Sequence, residues 1–174
     1  EETWPPEDVS LLIHDLSSDW DGASGTVNGL GSSVTMISPE FPNQTHISGL
    51  PTLHLEVTTQ VCNGGQIFAT MYDDTSNLRL GHATMDIRYR DGGYEAKATA
   101  PGTGYTMLME FNPLDVIVPA GHSLRIELTE TGEDYLPGPC AGNPLGGLIV
   151  EGGTVGLPLI DRPMNDERWF LSPA

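Results

Sequence analysis

Residues 105–129, YTMLMEFNPLDVIVPAGHSLRIELT, decide the fold. Tyr105, Met107, Met109 and Phe111 fall on one side of an alternating run, with Thr106 and Glu110 on the other. Leu124, Ile126 and Leu128 repeat the pattern against Ser123, Arg125, Glu127 and Thr129. Successive side chains of a strand point to opposite faces, so each run predicts a strand with one buried and one wet face. Asn112-Pro113 and Pro119-Ala120-Gly121-His122 supply turn chemistry at both ends of the short apolar bridge between them. Two such strands belong to an antiparallel sheet that needs cover on its apolar face. A second sheet is the simplest cover, and the expectation is an all-β, two-sheet antiparallel β-sandwich.

The flanking sequence extends this pattern. Val9, Leu11 and Ile13 alternate with Ser10 and His14 as a first strand, interrupted by Leu12. Residues 15–32, rich in Ser, Asp and Gly, read as a loop, and 33–37 as a short strand. Leu53, Leu55 and Val57 alternate with His54, Glu56 and Thr58. In 67–72, Phe68 and Tyr72 share the less apolar face, as in a strand covered on both sides. Ala83, Met85, Ile87 and Tyr89 alternate with Thr84, Asp86, Arg88 and Arg90, which reads as one long strand. Residues 148–150 and 154–159 read as two short strands, Pro158 marking an edge or a strand end. That makes about eight or nine strands in a single domain over residues 1–174, with no amphipathic helix. The 21 Gly and 14 Pro suit many short strands joined by tight turns.

Charge narrows the partners. Twenty-four acids face seven bases, a net charge of −17, and Lys97 is the only lysine. Such a surface repels phosphates, so nucleic acid is not an expected partner. No apolar run approaches the ~20 residues of a membrane-spanning helix. The acidity suits an exported, extracellular or cell-surface protein and a salt-loving host equally, and a first residue Glu1 in place of Met suits a chain processed or excised from a longer one.

The ordered set of motifs resembles a known family. Trp4-Pro5-Pro6 precedes a strand ending Leu12-Ile13-His14, and Ile47-Ser48-Gly49-Leu50-Pro51-Thr52-Leu53 follows. Next come 67–73, then Leu80-Gly81-His82 before a run ending Arg88-Tyr89-Arg90, and finally 116–126, VIVPAGHSLRI. Over residues 4–160 this is similar to the non-catalytic C-terminal domain of Xaa-Pro dipeptidyl-peptidases and cocaine-esterase-like hydrolases. The resemblance implies a jelly-roll sandwich, akin to galactose-binding folds, with an α/β-hydrolase domain as partner in cis or in trans. In that family the hydrolase domain carries the Ser-Asp-His triad, and none of the family's catalytic residues maps onto this chain. The implied role is accessory: shaping the substrate entrance, setting oligomer contacts, or binding a surface or glycan.

The chain's own chemistry agrees with an accessory role. A serine hydrolase of that class places its nucleophile in Gly-x-Ser-x-Gly, and Gly22-Ala23-Ser24-Gly25 has the wrong spacing. The five histidines, at 14, 46, 54, 82 and 122, are scattered singly. The catalytic set is therefore expected to be empty. Should the domain be a free-standing carbohydrate-binding module, Trp20, Tyr94 and Tyr135 are the candidate sugar-stacking platform, although aromatics more often pack internally. Asp15, Asp19 and Asp21 form the densest acidic cluster and are the candidate ligands of a structural calcium ion, the only cofactor expected. The competing reading is an Asp-rich turn that caps its own backbone.

Cys62 and Cys140, the only cysteines, lack the spacing of a zinc site; they either pair or remain two free thiols. Pairing closes a long loop and restricts the unfolded chain by roughly 4 kcal/mol. Intact-mass and peptide analysis of protein purified without reductant is expected to find the Cys62–Cys140 linked peptide. Two free thiols would reject the pairing.

Overall fold

The computed structural model describes residues 9–28, 31–60, 64–91, 93–130, 132 and 147–160. Cys62, Cys140 and Tyr135 lie outside them. The described elements are β1 (Val9–Asp15), a single helical turn α1 (Leu16–Asp19), β2 (Gly25–Val27), β3 (Val34–Ile37), β4 (Thr45–Gly49) and β5 (Thr52–Thr59). Then come β6 (Gln66–Asp73), β7 (Leu78–Asp86), a 3₁₀ turn at Ile87–Tyr89, β8 (Gly104–Glu110), β9 (Leu114–Val118), β10 (Leu124–Thr129) and β11 (Leu148–Ile160). They form two antiparallel sheets, one of seven strands and one of four in the order β3-β10-β6-β7. The expected all-β sandwich of jelly-roll class is what the chain adopts. No helix among the described residues is long and apolar enough to cross a membrane.

The larger sheet is organised around β11. Its 13 residues pair with β5 and then β4 along one edge, and with β2 and β1 along the other. β4 takes over from β5 against β11, and β9 from β8 against β4 and β5, each with a small shift of register. Each of those pairs is therefore one long ribbon broken in the middle. The breaks align: Pro51 separates β4 from β5, Pro113 lies between β8 and β9, and Pro158 lies where β11 exchanges β5 for β4. Proline has no N–H to donate to a ladder, so a line of prolines across neighbouring ribbons marks a seam in the pairing.

Residues 148–150 and 154–159 are thus one strand, not two. Gly152 and Gly153, which read as a break, adopt φ of 150° and 148° beside a bulge after Val150. A Cβ on Gly153 would stand 1.9 Å from the His54 carbonyl oxygen. The glycines let the strand continue past β5's backbone.

Four further expectations change. β8 and β10 lie in different sheets, and the apolar bridge between them is itself strand β9. The run ending in Arg90 stops as a strand at Asp86, whose carboxylate caps the 3₁₀ turn by accepting from the Arg88 amide and gripping its guanidinium at 2.5 Å. The loop 15–32 contains α1 and β2. On β1 the faces are inverted: Leu12 pairs with Leu157, while Leu11 and Ile13 are 59% and 62% exposed. β6 is covered on both sides, as its sequence implied, with Phe68 on the outer face stacked against His82.

The core lies between the sheets, with Met107, Met109 and Phe111 from β8 and its end meeting Ile126, Leu128, Ile67 and Met71 of the smaller sheet in one cluster. Asn112, at the break after β8, ties one edge of the sandwich shut: it exchanges hydrogen bonds with His82 of β7, Oδ1 accepting at 2.7 Å and its amide donating at 3.1 Å. Gly81 leaves room for that contact, since a Cβ there would meet Leu114 and Asn112 at 2.9 and 3.0 Å.

Gly153→Ala is expected to cost roughly 3 kcal/mol or more, combining backbone strain with the clash into β5. Gly121→Ala, also at positive φ but in open space, should cost about 1 kcal/mol. Equal urea midpoints for the two variants would contradict the role given to Gly153.

Candidate functional site

The acidic loop follows β1. Asp15 N-caps α1, its carboxylate accepting from the Ser17 and Ser18 amides at 2.8 and 3.3 Å. Asp19 turns back, accepting from the Asp15 amide at 3.0 Å and from the Ser18 hydroxyl at 3.0 Å. Asp21 joins β3 through paired backbone hydrogen bonds with Ile37. The loop thus caps its own backbone. Of the candidate calcium ligands, Asp15 and Asp19 accept hydrogen bonds from the loop itself. Among the described residues no three His, Cys, Asp or Glu side chains form a metal-binding group.

Of the three aromatic candidates, Trp20 and Tyr94 lie among the described residues. Trp20 is only 4% exposed and sits in the core cluster with its ring edge toward His14, so it offers no open face to a sugar. Tyr94 is fully exposed on the loop after the 3₁₀ turn, and Tyr135 lies outside the described residues. Beside Trp20 opens a cleft of about 390 Å³ lined by Ser17, Asp21, Gly22, Ala23, Ser24 and Glu151. Ser24, the serine of the misspaced Gly-Ala-Ser-Gly run, is in it, but no histidine lines the cleft with it. Glu151, hydrogen-bonded to Thr58 at 2.8 Å, also borders a second cleft with Glu56 and Tyr105.

Two Asp–His pairs were not foreseen. Asp73, at the end of β6, is 6% exposed. It caps the β6–β7 turn by accepting from the Thr75 and Ser76 amides at 3.1 and 3.2 Å, and meets His122 Nδ1 at 2.8 Å. Burial acts to raise its pKa, but hydrogen bonds from His122 and Ser76, and the positive charge His122 carries when protonated, outweigh it and hold the carboxyl below the usual range. The His122 side chain therefore reaches a carboxylate rather than the backbone, while its own backbone closes the turn with Pro119 and Phe41. The other pair joins β4 to β9: His46 Nε2 is 2.6 Å from Asp115, whose register partner is Ser48. Ser, His and Asp do meet here, yet Ser48 is 1% exposed and its hydroxyl hydrogen-bonds neither ring nor backbone. A buried serine unlinked to its histidine is not an activated nucleophile. The signal for both pairs was present as His and Asp at strand ends, but nothing in the sequence gave their pairing.

The described geometry is that of a β-sandwich whose polar clusters hold turns and strand ends in place. Residues 10–138 match the X-Pro dipeptidyl-peptidase C-terminal non-catalytic domain, and the chain belongs to that family. A search of curated protein sequences gives no match. Among solved structures, a CocE/NonD family hydrolase from Staphylococcus aureus is similar at TM-score 0.71 and 11% identity, covering 91% of this chain and 38% of that one. An aminopeptidase from a marine sediment archaeon, Thaumarchaeota archaeon, gives TM-score 0.69 and 11% identity, with the same two coverages of 91% and 38%. An alpha-amino acid ester hydrolase gives 0.59 and 12%, covering 90% of this chain and 33% of that one. The chain thus spans about a third of the length of these proteins, and at such identities the likeness shows the fold alone.

The depressed Asp73 pKa fixes a sign. Its contribution to stability is fully present above the unfolded value of about 3.9 and is lost as pH falls through the lower folded value. Asp73→Asn is expected to destabilise by about 1–3 kcal/mol at neutral pH. The gap from the parent protein should hold constant down to about pH 5 and narrow as pH falls through about 4 and below. A gap constant over that window would contradict the assignment.

Proposed function

We propose that this chain serves as the accessory domain of a serine peptidase or esterase of the Xaa-Pro dipeptidyl-peptidase group. It packs against an α/β-hydrolase domain, in the same polypeptide or a partner chain, and bounds the route to that domain's active site or sets its assembly. The single observation that carries this reading is family membership over residues 10–138. The fate of the chain's own reactive groups supports it: Asp15, Asp19 and Asp73 cap turns, His46 and His122 pair with carboxylates, and Ser48 is buried. The reading extends to location outside the cytoplasm, where a Cys62–Cys140 bridge would persist.

The test compares two proteins. The purified 174-residue chain is expected to hydrolyse neither Xaa-Pro amides nor simple esters and to resist a serine-reactive phosphonate. The complete gene product should hydrolyse such substrates through a serine outside this chain. Stoichiometric phosphonate labelling of the chain alone, or turnover abolished by Ser24→Ala, would overturn the proposal.

A further inference from the structure

The first strand presents the wrong face to water. Leu11 and Ile13, two residues apart, point to the same side of the larger sheet and are 59% and 62% exposed. Leu11 lies over Gly156, its Cδ1 3.3 Å from where a Cβ would stand, and its register partner on β11 is Pro158. The exposed patch is thus Leu11 and Ile13 of β1, with Gly156 and Pro158 of β11 buried beside them. No charged residue occurs in 9–13, in a chain with 24 acids. β1 is also an edge: among the described residues its only strand partner is β11. Exposed edges are usually guarded by charge, proline or a bulge, and over residues 9–13 this one has none of them.

Other exposed apolar residues of this sheet are isolated. Leu108 on β8, 40% exposed, faces His54 across the ladder and has Glu110 beyond it. Ile117 on β9, 46% exposed, sits opposite His46 and beside Asp115. Single apolar side chains among charges need no partner, whereas a charge-free pair on an unguarded edge does.

Resting on the accessory-domain reading above, we infer that the outer face of β1, centred on Leu11 and Ile13, is the surface on which the α/β-hydrolase domain docks. Two observations select this occupant. The family is a C-terminal domain, and the matching fold fills only 38% of the similar hydrolase chain, so the greater part of such a polypeptide is available to cover it. A domain on the N-terminal side is joined through β1, which puts the junction at the same end of the fold as the patch. A second copy of this chain fits less well, because it would bring one net charge of −17 against another.

Hydroxyl-radical footprinting of the complete gene product, read by peptide mass spectrometry, tests the docking without substitutions. Oxidation at Leu11 and Ile13 is expected to fall about tenfold below that at Leu108 and Ile117, reversing the order set by their exposures in this fold, as the centre of a dry interface requires. Leu11 and Ile13 oxidising as fast as Leu108, in a product that contains a hydrolase domain, would overturn the docking face and leave the accessory reading standing. Protection that disappears on dilution to monomers would also overturn it, assigning the face to a second copy. A gene product that neither contains a hydrolase domain nor co-purifies with one would defeat both readings at once.

Discussion

One strand of thirteen residues must keep hydrogen-bonded neighbours on both edges over most of its length, and the rest of the molecule is arranged to let it. β11 meets β5 and β4 on one side and β2 and β1 on the other. A buried backbone group left unpaired costs about as much as a lost hydrogen bond, so every irregularity along this ladder needs a compensating device. The bulge after Val150 is accommodated by Gly152 and Gly153, where any side chain would enter β5 or α1. The break near Pro158 falls where two partners change over, opposite the proline breaks in the neighbouring ribbons. Placing the proline breaks on one line keeps them out of the ladders on either side.

The polar groups follow from the same architecture. Long ribbons and a sandwich edge create many turns with orphaned amides, and Asp15, Asp73, Asp86 and Asn112 are placed at such points. His122 adds a second function to the Asp73 turn by bringing the residues before β10 against the end of β6. Carboxylates used this way are held in fixed geometry by backbone donors and are not free to act as bases. A domain in which Asp15, Asp19, Asp73, His46 and His122 are engaged in holding the chain together suits the non-catalytic family to which it belongs.

Much of this was legible in the sequence, and the exceptions have physical causes. Period-two patterning in 105–111 and 124–128 reports which side of each strand is buried, and Met107, Met109, Leu124, Ile126 and Leu128 are buried as expected. It does not report which strand lies alongside, so β8 and β10 read as sheet-mates although they belong to opposite sheets. Glycines 152 and 153 read as a break because local sequence cannot distinguish a turn from a bulge forced by a neighbour's carbonyl. On β1 three apolar residues alternate with Ser10 and His14, and the pattern points the wrong way because the surplus apolar face is turned outward. The motifs that carried the family resemblance fall on joints: the Pro51 break, the Gly81–Asn112 contact and the Gly121-His122 turn. Site residues were harder to read. Asp15, Asp19 and Trp20 have the composition of a ligand site, but capping and burial, which depend on tertiary context, had already engaged them.

The most direct measurement of the central claim, that this chain contributes structure and not chemistry, is a crystal structure of the complete gene product with a phosphonate on its reactive serine. The account predicts the modified serine in a separate α/β-hydrolase domain, with its histidine and carboxylate from that same domain and no side chain of these 174 residues bonded to the triad or the phosphonyl oxygens. A phosphonate attached to a serine of this chain, or a histidine or carboxylate of this chain completing the triad, would contradict it.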